Sequence, residues 1–234
     1  MKKNKFKTEI SQISETAALV EFGNEISEVI NKKVRTFCLY LDNHPFIGMI
    51  EYVPAFASVS IVYNPLNINS DSPYEKVRSI LEDILSKLDF SSVYKEHIVE
   101  IPVCYGGEFG QDIQYVAEIN NITVDEVIKI HSEGRYLVYM IGFAPGFPYI
   151  GGMSEKIAAP RRESPRTAIP EGSVGIAGMQ TGVYPIETPG GWQLIGRTPL
   201  KMFDLNRNPQ SLLKTGDIAK FYPISYEEYL KEEK

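Results

Sequence analysis

The stretch from Gly142 to Pro223 constrains the fold of this chain more than any other feature, because it gathers 12 of the 18 glycines and 10 of the 15 prolines. Glycine opens backbone angles closed to other residues, while proline fixes φ and removes a hydrogen-bond donor, so a helix cannot run through such a sequence. The apolar runs left between them have the length of strands. Short strands at frequent turns read as a closed β-barrel or a sandwich. The glycines and prolines are too unevenly spaced for a repeat, and the intervening segments are too apolar for disorder. After Pro223, the mainly charged tail Ile224 to Lys234 reads as a surface helix.

Upstream the periodicity changes. A β-rich stretch at Ala17 to Phe22 follows a weaker one around Phe6 to Ile13. Ile26, Val29, Ile30, Val34, Phe37, Cys38 and Leu41 then recur at steps of three and four, which places them along one side of a helix facing a sheet. Two strands are expected at Phe46 to Val53 and Ser58 to Tyr63. A second helix opens at Ser72-Pro73-Tyr74-Glu75, where serine can cap, proline suits the first position and glutamate can reach back. Its apolar face is Val77, Ile80, Leu81, Ile84, Leu85 and Leu88. A strand at Ile98 to Val103 would complete a β-α-β-β-α-β order of the ferredoxin-like kind if it joined this sheet, and the pattern alone leaves it open to either neighbour. Two short helices follow, starting at Asp112 and Thr123; Thr123-Val124-Asp125-Glu126 is a second capping box, and its helix ends near His131 and Gly134. The expectation is an α+β chain, with a small α/β domain over 1–94 and a barrel domain over 95–234.

A length of 234 residues with 43% hydrophobic residues supports a real core. The net charge of −6 argues against a nucleic-acid partner, which would call for a basic face. The lysines of Met1 to Thr8 precede no apolar segment, and no apolar run approaches membrane-spanning length, so a cytoplasmic location away from membranes is expected. Cys38 and Cys104 are too few for a disulfide framework and lack metal-ligand spacing; two reduced, buried thiols are expected and no metal.

Materials for a binding site crowd into the barrel segment. Gly142 to Gly152 sets Phe143, Phe147 and Tyr149 among glycines, Pro145 and Pro148, either as a ring-lined wall or as a tight loop packing its aromatics inward. Arg161, Arg162, Arg166 and Arg197 are half of the eight arginines, and their window from Ile157 to Leu200 contains no lysine. A guanidinium grips a planar carboxylate or phosphate through paired hydrogen bonds where lysine offers a point charge, so the window suits a small anion. Salt bridges to Glu163, Glu171 and Glu187 would account for them equally well. Gln180, Thr181 and Tyr184 lie beside glycines where a ligand could approach, and Trp192 is either platform or core. His131 could relay a proton, or could cap its helix. No phosphate-loop, GxSxG or HExxH motif is present, and Cys104 has no histidine at a suggestive spacing. The chain holds binding materials without a complete catalytic set and is expected to be inactive alone.

The series Gly142-Phe143-Ala144-Pro145-Gly146-Phe147-Pro148-Tyr149, Pro160-Arg161-Arg162, Ser164-Pro165-Arg166-Thr167 and Gly190-Gly191-Trp192-Gln193-Leu194-Ile195-Gly196-Arg197-Thr198-Pro199 resembles the 5-oxoprolinase B-subunit family, also called allophanate hydrolase subunit 1 or the KipI family. The likeness extends to Ile101-Pro102-Val103-Cys104-Tyr105-Gly106-Gly107, His131 and Lys214-Thr215-Gly216-Asp217. It implies a cyclophilin-like β-barrel behind the α/β domain and tight assembly with the larger C subunit of 5-oxoprolinase, joined by its A subunit. It implies opening of the small-molecule substrate 5-oxoproline to glutamate at the expense of ATP bound somewhere in the complex. It also implies a barrel pocket in which His131 and Arg166 act in catalysis while Phe143, Pro145, Phe147, Arg161, Arg162, Gln180, Tyr184, Trp192 and Arg197 bind substrate. The alternatives it carries are inhibition of a sensor histidine kinase and hydrolysis of allophanate; prolyl isomerase activity, suggested by barrel architecture alone, ranks last.

Overall fold

A computed structural model describes residues 8–91 and 96–232 and divides into two compact units. Phe6 and Lys7, where the first weak strand was expected to begin, and the last two residues of the tail lie outside the described residues. Among the described residues no helix is long and apolar enough to cross a membrane.

The first unit contains β1 (Glu9–Ser14), β2 (Ala17–Glu21), α1 (Glu28–Asn43), β3 (Met49–Pro54), β4 (Ser58–Tyr63) and α2 (Pro73–Lys87). Its sheet runs β1-β2-β4-β3 with every neighbour antiparallel. β4 lies between β2 and β3, so the connection through α1 is the split crossover of ferredoxin-like sheets. The position beyond β2 is taken by its hairpin partner β1, not by a strand following α2. Val59, Ile61 and Tyr63 are buried while Ser58, Ser60 and Val62 between them are half-buried, the two-residue alternation of a sheet covered on one face. Val34, Phe37 and Leu41 of α1 and Val77, Leu81 and Ile84 of α2 join them in one core. Two members of the expected α1 face fall outside it: Ile26 precedes the helix and Val29 sits on its outer side, both exposed. At Ser72 the helix starts where expected, but the serine makes no side-chain cap bond.

The second unit opens with β5 (Ile98–Tyr105), which pairs in parallel with β13 (Ile218–Pro223) and antiparallel with β12 (Gln193–Arg197). These three close a seven-stranded barrel with β6 (Tyr136–Ile141), β7 (Pro148–Gly151), β9 (Ser173–Ala177) and β10 (Gln180–Val183), in the order β10-β7-β6-β13-β5-β12-β9. The strand at Ile98 therefore belongs to the barrel. Short β8 (Arg166–Ile169) and β11 (Thr188–Gly190) form a separate ribbon, and α5 (Tyr226–Glu232) ends the described chain. Ile101, Val103, Val138, Val174, Ile176, Ile195 and Phe221 fill the core, joined by Val116 of α3 (Ile113–Ile119) and Val127 of α4 (Val124–Ser132). The Thr123 capping box forms completely: Thr123 Oγ1 accepts from Glu126 N, and Glu126 Oε2 accepts from Thr123 N.

Candidate functional site

Four hydrogen bonds fix the loop that carries the arginines. Ala159 and Gly178 exchange hydrogen bonds, Gln193 Nε2 donates to Pro160 O at 2.9 Å, Arg162 N donates to Gly191 O at 2.7 Å, and at Arg166 the chain enters β8. Opposite stands Asp112, at the start of α3. Its N–H donates to Leu194 O at 2.9 Å while its Oδ2 accepts from Leu194 N at 2.7 Å, so the residue is clamped to β12 by main chain on both sides. Its remaining oxygen, Oδ1, accepts from Arg162 Nη1 at 3.1 Å and Arg166 Nη2 at 2.9 Å. The Asp112 side chain is 8% exposed, against 37% for Arg162 and 18% for Arg166. One buried carboxylate thus holds two guanidiniums through charge-assisted bonds.

Asp112 and Arg162 of this cluster face a cleft of about 620 Å³, lined also by Tyr115, Pro160, Arg161, Glu163, Ser164 and Gln193, while Arg166 lies behind it, reaching Asp112 from outside the lining. Arg161 is exposed and has no ion-pair partner among the described residues. Arg162 directs one Nη to Asp112, and its Nε is closed off without an acceptor, so this guanidinium is incompletely satisfied. Three positive groups, Arg161, Arg162 and Arg166, meet two negative ones, Asp112 and Glu163. Arg161 and Arg162 were expected in the site from sequence; Asp112, Tyr115, Glu163, Ser164 and Gln193 were not. The alternative of salt bridges to Glu163, Glu171 and Glu187 is not what pairs Arg162 and Arg166: their partner is Asp112, 50 residues before Arg162.

The other nominated residues lie elsewhere. Phe147, Tyr184 and Trp192 are buried in a core of their own with Ile169, Ala177 and Leu194, their rings meeting edge-on at centroid distances of 6.0 to 6.2 Å. Burial raises the Tyr184 hydroxyl above the usual phenol range, with Arg161 and Arg166 opposing, so it stays neutral. Gly182 and Gly175 make room for Trp192, since a Cβ on either would come within 3.1 Å of it. Phe143, at φ 67°, is 73% exposed beside exposed Pro145. Gln180 is half-buried on β10. Arg197 turns from the cleft: its Nε donates to Glu171 O at 2.8 Å and its guanidinium carbon lies 5.7 Å from the Phe109 ring centre.

His131 is wholly buried. Its Nδ1 lies 2.7 Å from the Tyr105 hydroxyl and its Nε2 lies 2.8 Å from Thr181 Oγ1, which donates onward to Gly175 O at 3.2 Å. Because the threonine proton goes to that carbonyl, Nε2 donates to Thr181 Oγ1, and with burial keeping the ring neutral, Nδ1 accepts from the Tyr105 hydroxyl. Burial pushes its pKa down to about 3 and raises that of the Tyr105 hydroxyl well above the ordinary phenol value. A neutral ring with no solvent access and both nitrogens committed is a core group, and it does not line the cleft. Cys104 is buried with its thiol raised by burial and then by Glu108 and Glu227, unlike an activated nucleophile. Among the described residues no group of three His, Cys, Asp or Glu side chains could hold a metal ion.

Residues 8–213 match the family described as carboxyltransferase domain, subdomain C and D. The chain is 52% identical over 227 residues to the B subunit of 5-oxoprolinase from Bacillus subtilis, covering 94% of this chain and 95% of that protein. To the protein of the same name from Escherichia coli O157:H7 it is 38% identical over 212 residues, covering 90% and 94%. Among solved structures, the protein TTHA0988 superposes at a TM-score of 0.78 with 30% identity over 89% of this chain, which spans only 40% of that longer one. A conserved uncharacterized protein of Pyrococcus horikoshii gives 0.57 with 46% identity, covering 94% and 99%. The Kluyveromyces lactis urea carboxylase shares the fold at 0.72 with 21% identity, this chain covering 22% of its length. A family match over most of the sequence and a 52% likeness running nearly end to end leave one conclusion: the chain belongs to the 5-oxoprolinase B-subunit family, built on the carboxyltransferase C and D architecture.

Proposed function

We propose that this chain serves as one subunit of an ATP-dependent 5-oxoprolinase complex, in which its arginine cleft holds the carboxylate of 5-oxo-L-proline while the ring amide is opened to L-glutamate. The observation that carries this reading is the guanidinium pair anchored on Asp112, next to an unpaired Arg161 at the rim. Arg162, with unused donors, and Arg161 would grip the planar carboxylate, while Tyr115, Ser164 and Gln193 offer neutral hydrogen-bonding groups to the amide. The names of the Bacillus and Escherichia relatives support the substrate and the role within a complex.

The cleft's donors do not suit the triphosphate of ATP. Two carboxylates stand among the guanidiniums, and the amides that begin α3 are already engaged, Asp112 N by Leu194 O and Ile113 N by Gly110 O. The nucleotide is therefore placed outside this cleft, with the C and A subunits of 5-oxoprolinase as the partners. A second reading, an allophanate-type amide as substrate, draws on the likeness to Lachancea kluyveri urea amidolyase, 25% identical over 93% of this chain but only 13% of that protein.

The test is ATP-dependent release of glutamate from 5-oxo-L-proline by this chain, by its partners, and by the mixture, with allophanate in parallel. Glutamate from the full mixture alone supports the proposal. Turnover of allophanate without 5-oxoproline turnover moves the assignment to the second reading.

A further inference from the structure

We infer that Asp112 is the positioning residue of the cleft, and that by holding Arg162 and Arg166 it sets the site to prefer a singly charged planar carboxylate over a phosphate. The inference rests on the reading of the cleft as an anion site. Three observations carry it.

Asp112 is rigid, because Leu194 fixes both its amide and one carboxylate oxygen. The arginines it holds are on a different segment, so the carboxylate determines which guanidinium edges remain for a ligand. Its charge also lies inside the cluster. With Asp112 and Glu163 opposing Arg161, Arg162 and Arg166, the local balance is one positive charge, which one carboxylate neutralises and a doubly charged phosphate overshoots. Asp112 and Arg166 are poorly solvated, at 8% and 18% side-chain exposure, so their field is weakly screened and their charges weigh on which anion the site prefers. Asp112 contacts no substrate atom in this scheme and acts through the arginines.

The experiment follows the arginine Nε–Hε resonances of the full-length chain by ¹H–¹⁵N NMR, titrating 5-oxo-L-proline and, separately, inorganic phosphate at about pH 8. In the unmodified chain the carboxylate should perturb Arg161 and Arg162 at lower concentration than phosphate. Asp112→Asn should move the ratio of the two dissociation constants toward phosphate by about tenfold, the equivalent of one charge-assisted hydrogen bond. Asp112→Glu, which restores the charge, should return the ratio toward its starting value. Arg162→Gln should move it the opposite way and keeps the idea testable if Asp112→Asn does not fold. An unchanged ratio in folded Asp112→Asn, with both anions weakened equally, would make Asp112 merely structural and overturn the inference while leaving the anion cleft standing. No arginine shift with either anion in the unmodified chain would overturn both.

Discussion

Replacing His131 with phenylalanine should cost stability at neutral pH, and the difference from the unmodified chain should close in acid. Phenylalanine keeps an aromatic ring where the imidazole lies 4.6 Å from the Phe221 ring centre and 5.3 Å from that of Tyr136. What it removes is two hydrogen bonds. The Tyr105 hydroxyl loses its imidazole acceptor at a part-buried site, which costs about 1–3 kcal/mol, while Thr181 keeps its bond to Gly175 O and loses about 1 kcal/mol. The sum is about 2–4 kcal/mol. The pH arm follows from linkage. The imidazole titrates near 6.5 when unfolded and is pushed down to about 3 when folded, so between these values the unfolded chain binds the extra proton and native stability falls as pH falls. The slope is about 1.4 kcal/mol per pH unit, and it is absent from the phenylalanine variant. The two stability curves should therefore converge between about pH 5 and pH 3.5. Urea unfolding of both proteins at a series of pH values measures this, and the difference between them cancels the other titrating groups. Parallel curves would show that the ring is protonated within the fold. Equal stability at pH 7 with loss of glutamate release would return His131 to the chemistry and refute the structural assignment.

Arg166→Ala should weaken carboxylate binding by about tenfold and destabilise the chain by about 2–3 kcal/mol, because Asp112 is left with one guanidinium in a poorly solvated site; calorimetric binding and thermal unfolding read the two effects separately. Gly110→Ala should cost about 3 kcal/mol or more by thermal unfolding, since a Cβ there falls on the Ile195 carbonyl and within 2.5 Å of Gly106 N, with backbone on both sides and little room to yield. The Cys38 thiol is pushed up to about 12 by burial and then by Asp42, so iodoacetamide at about pH 8 should leave it unlabelled in the native chain and modify it in urea; rapid native labelling would contradict that environment. Thr123→Ala should cost about 1 kcal/mol, readable as a shift in the urea midpoint, because both bonds of its capping box form.

Local chemistry was readable wherever neighbours in sequence are partners in space. The Thr123 box forms as its four residues imply, β4 occupies Ser58–Tyr63, and α2 starts at Pro73 although Ser72 does not cap it. Pairing across distance was not readable. The order β-α-β-β-α-β left the strand after α2 open to either sheet; β1 takes the free edge of the first sheet as a hairpin, and β5 joins β13, more than a hundred residues onward. Period-two patterning identifies a strand and its buried face without naming its neighbour.

The same division separates the arginines from Asp112. Four arginines without a lysine in one window announce an anion or carboxylate partner, and the residue types alone carry that message. An aspartate before a short helix announces a cap, since a side-chain oxygen at that position normally takes the free amides of the first turn. Here Ile113 N, the first amide of the helix, donates to Gly110 O, and the aspartate side chain makes no cap bond. Its carboxylate is therefore free to bind Leu194 and both guanidiniums. Only the barrel, by setting β12 beside the start of α3, turns a helix-capping residue into the counter-charge of the cleft. The aromatics fail as site markers for the complementary reason: glycines at 175 and 182 open space that Trp192 fills, so rings that read as a ligand platform are used to close a core. In this segment glycine beside an aromatic signals packing, and arginine without lysine signals the cleft proposed to hold an anion.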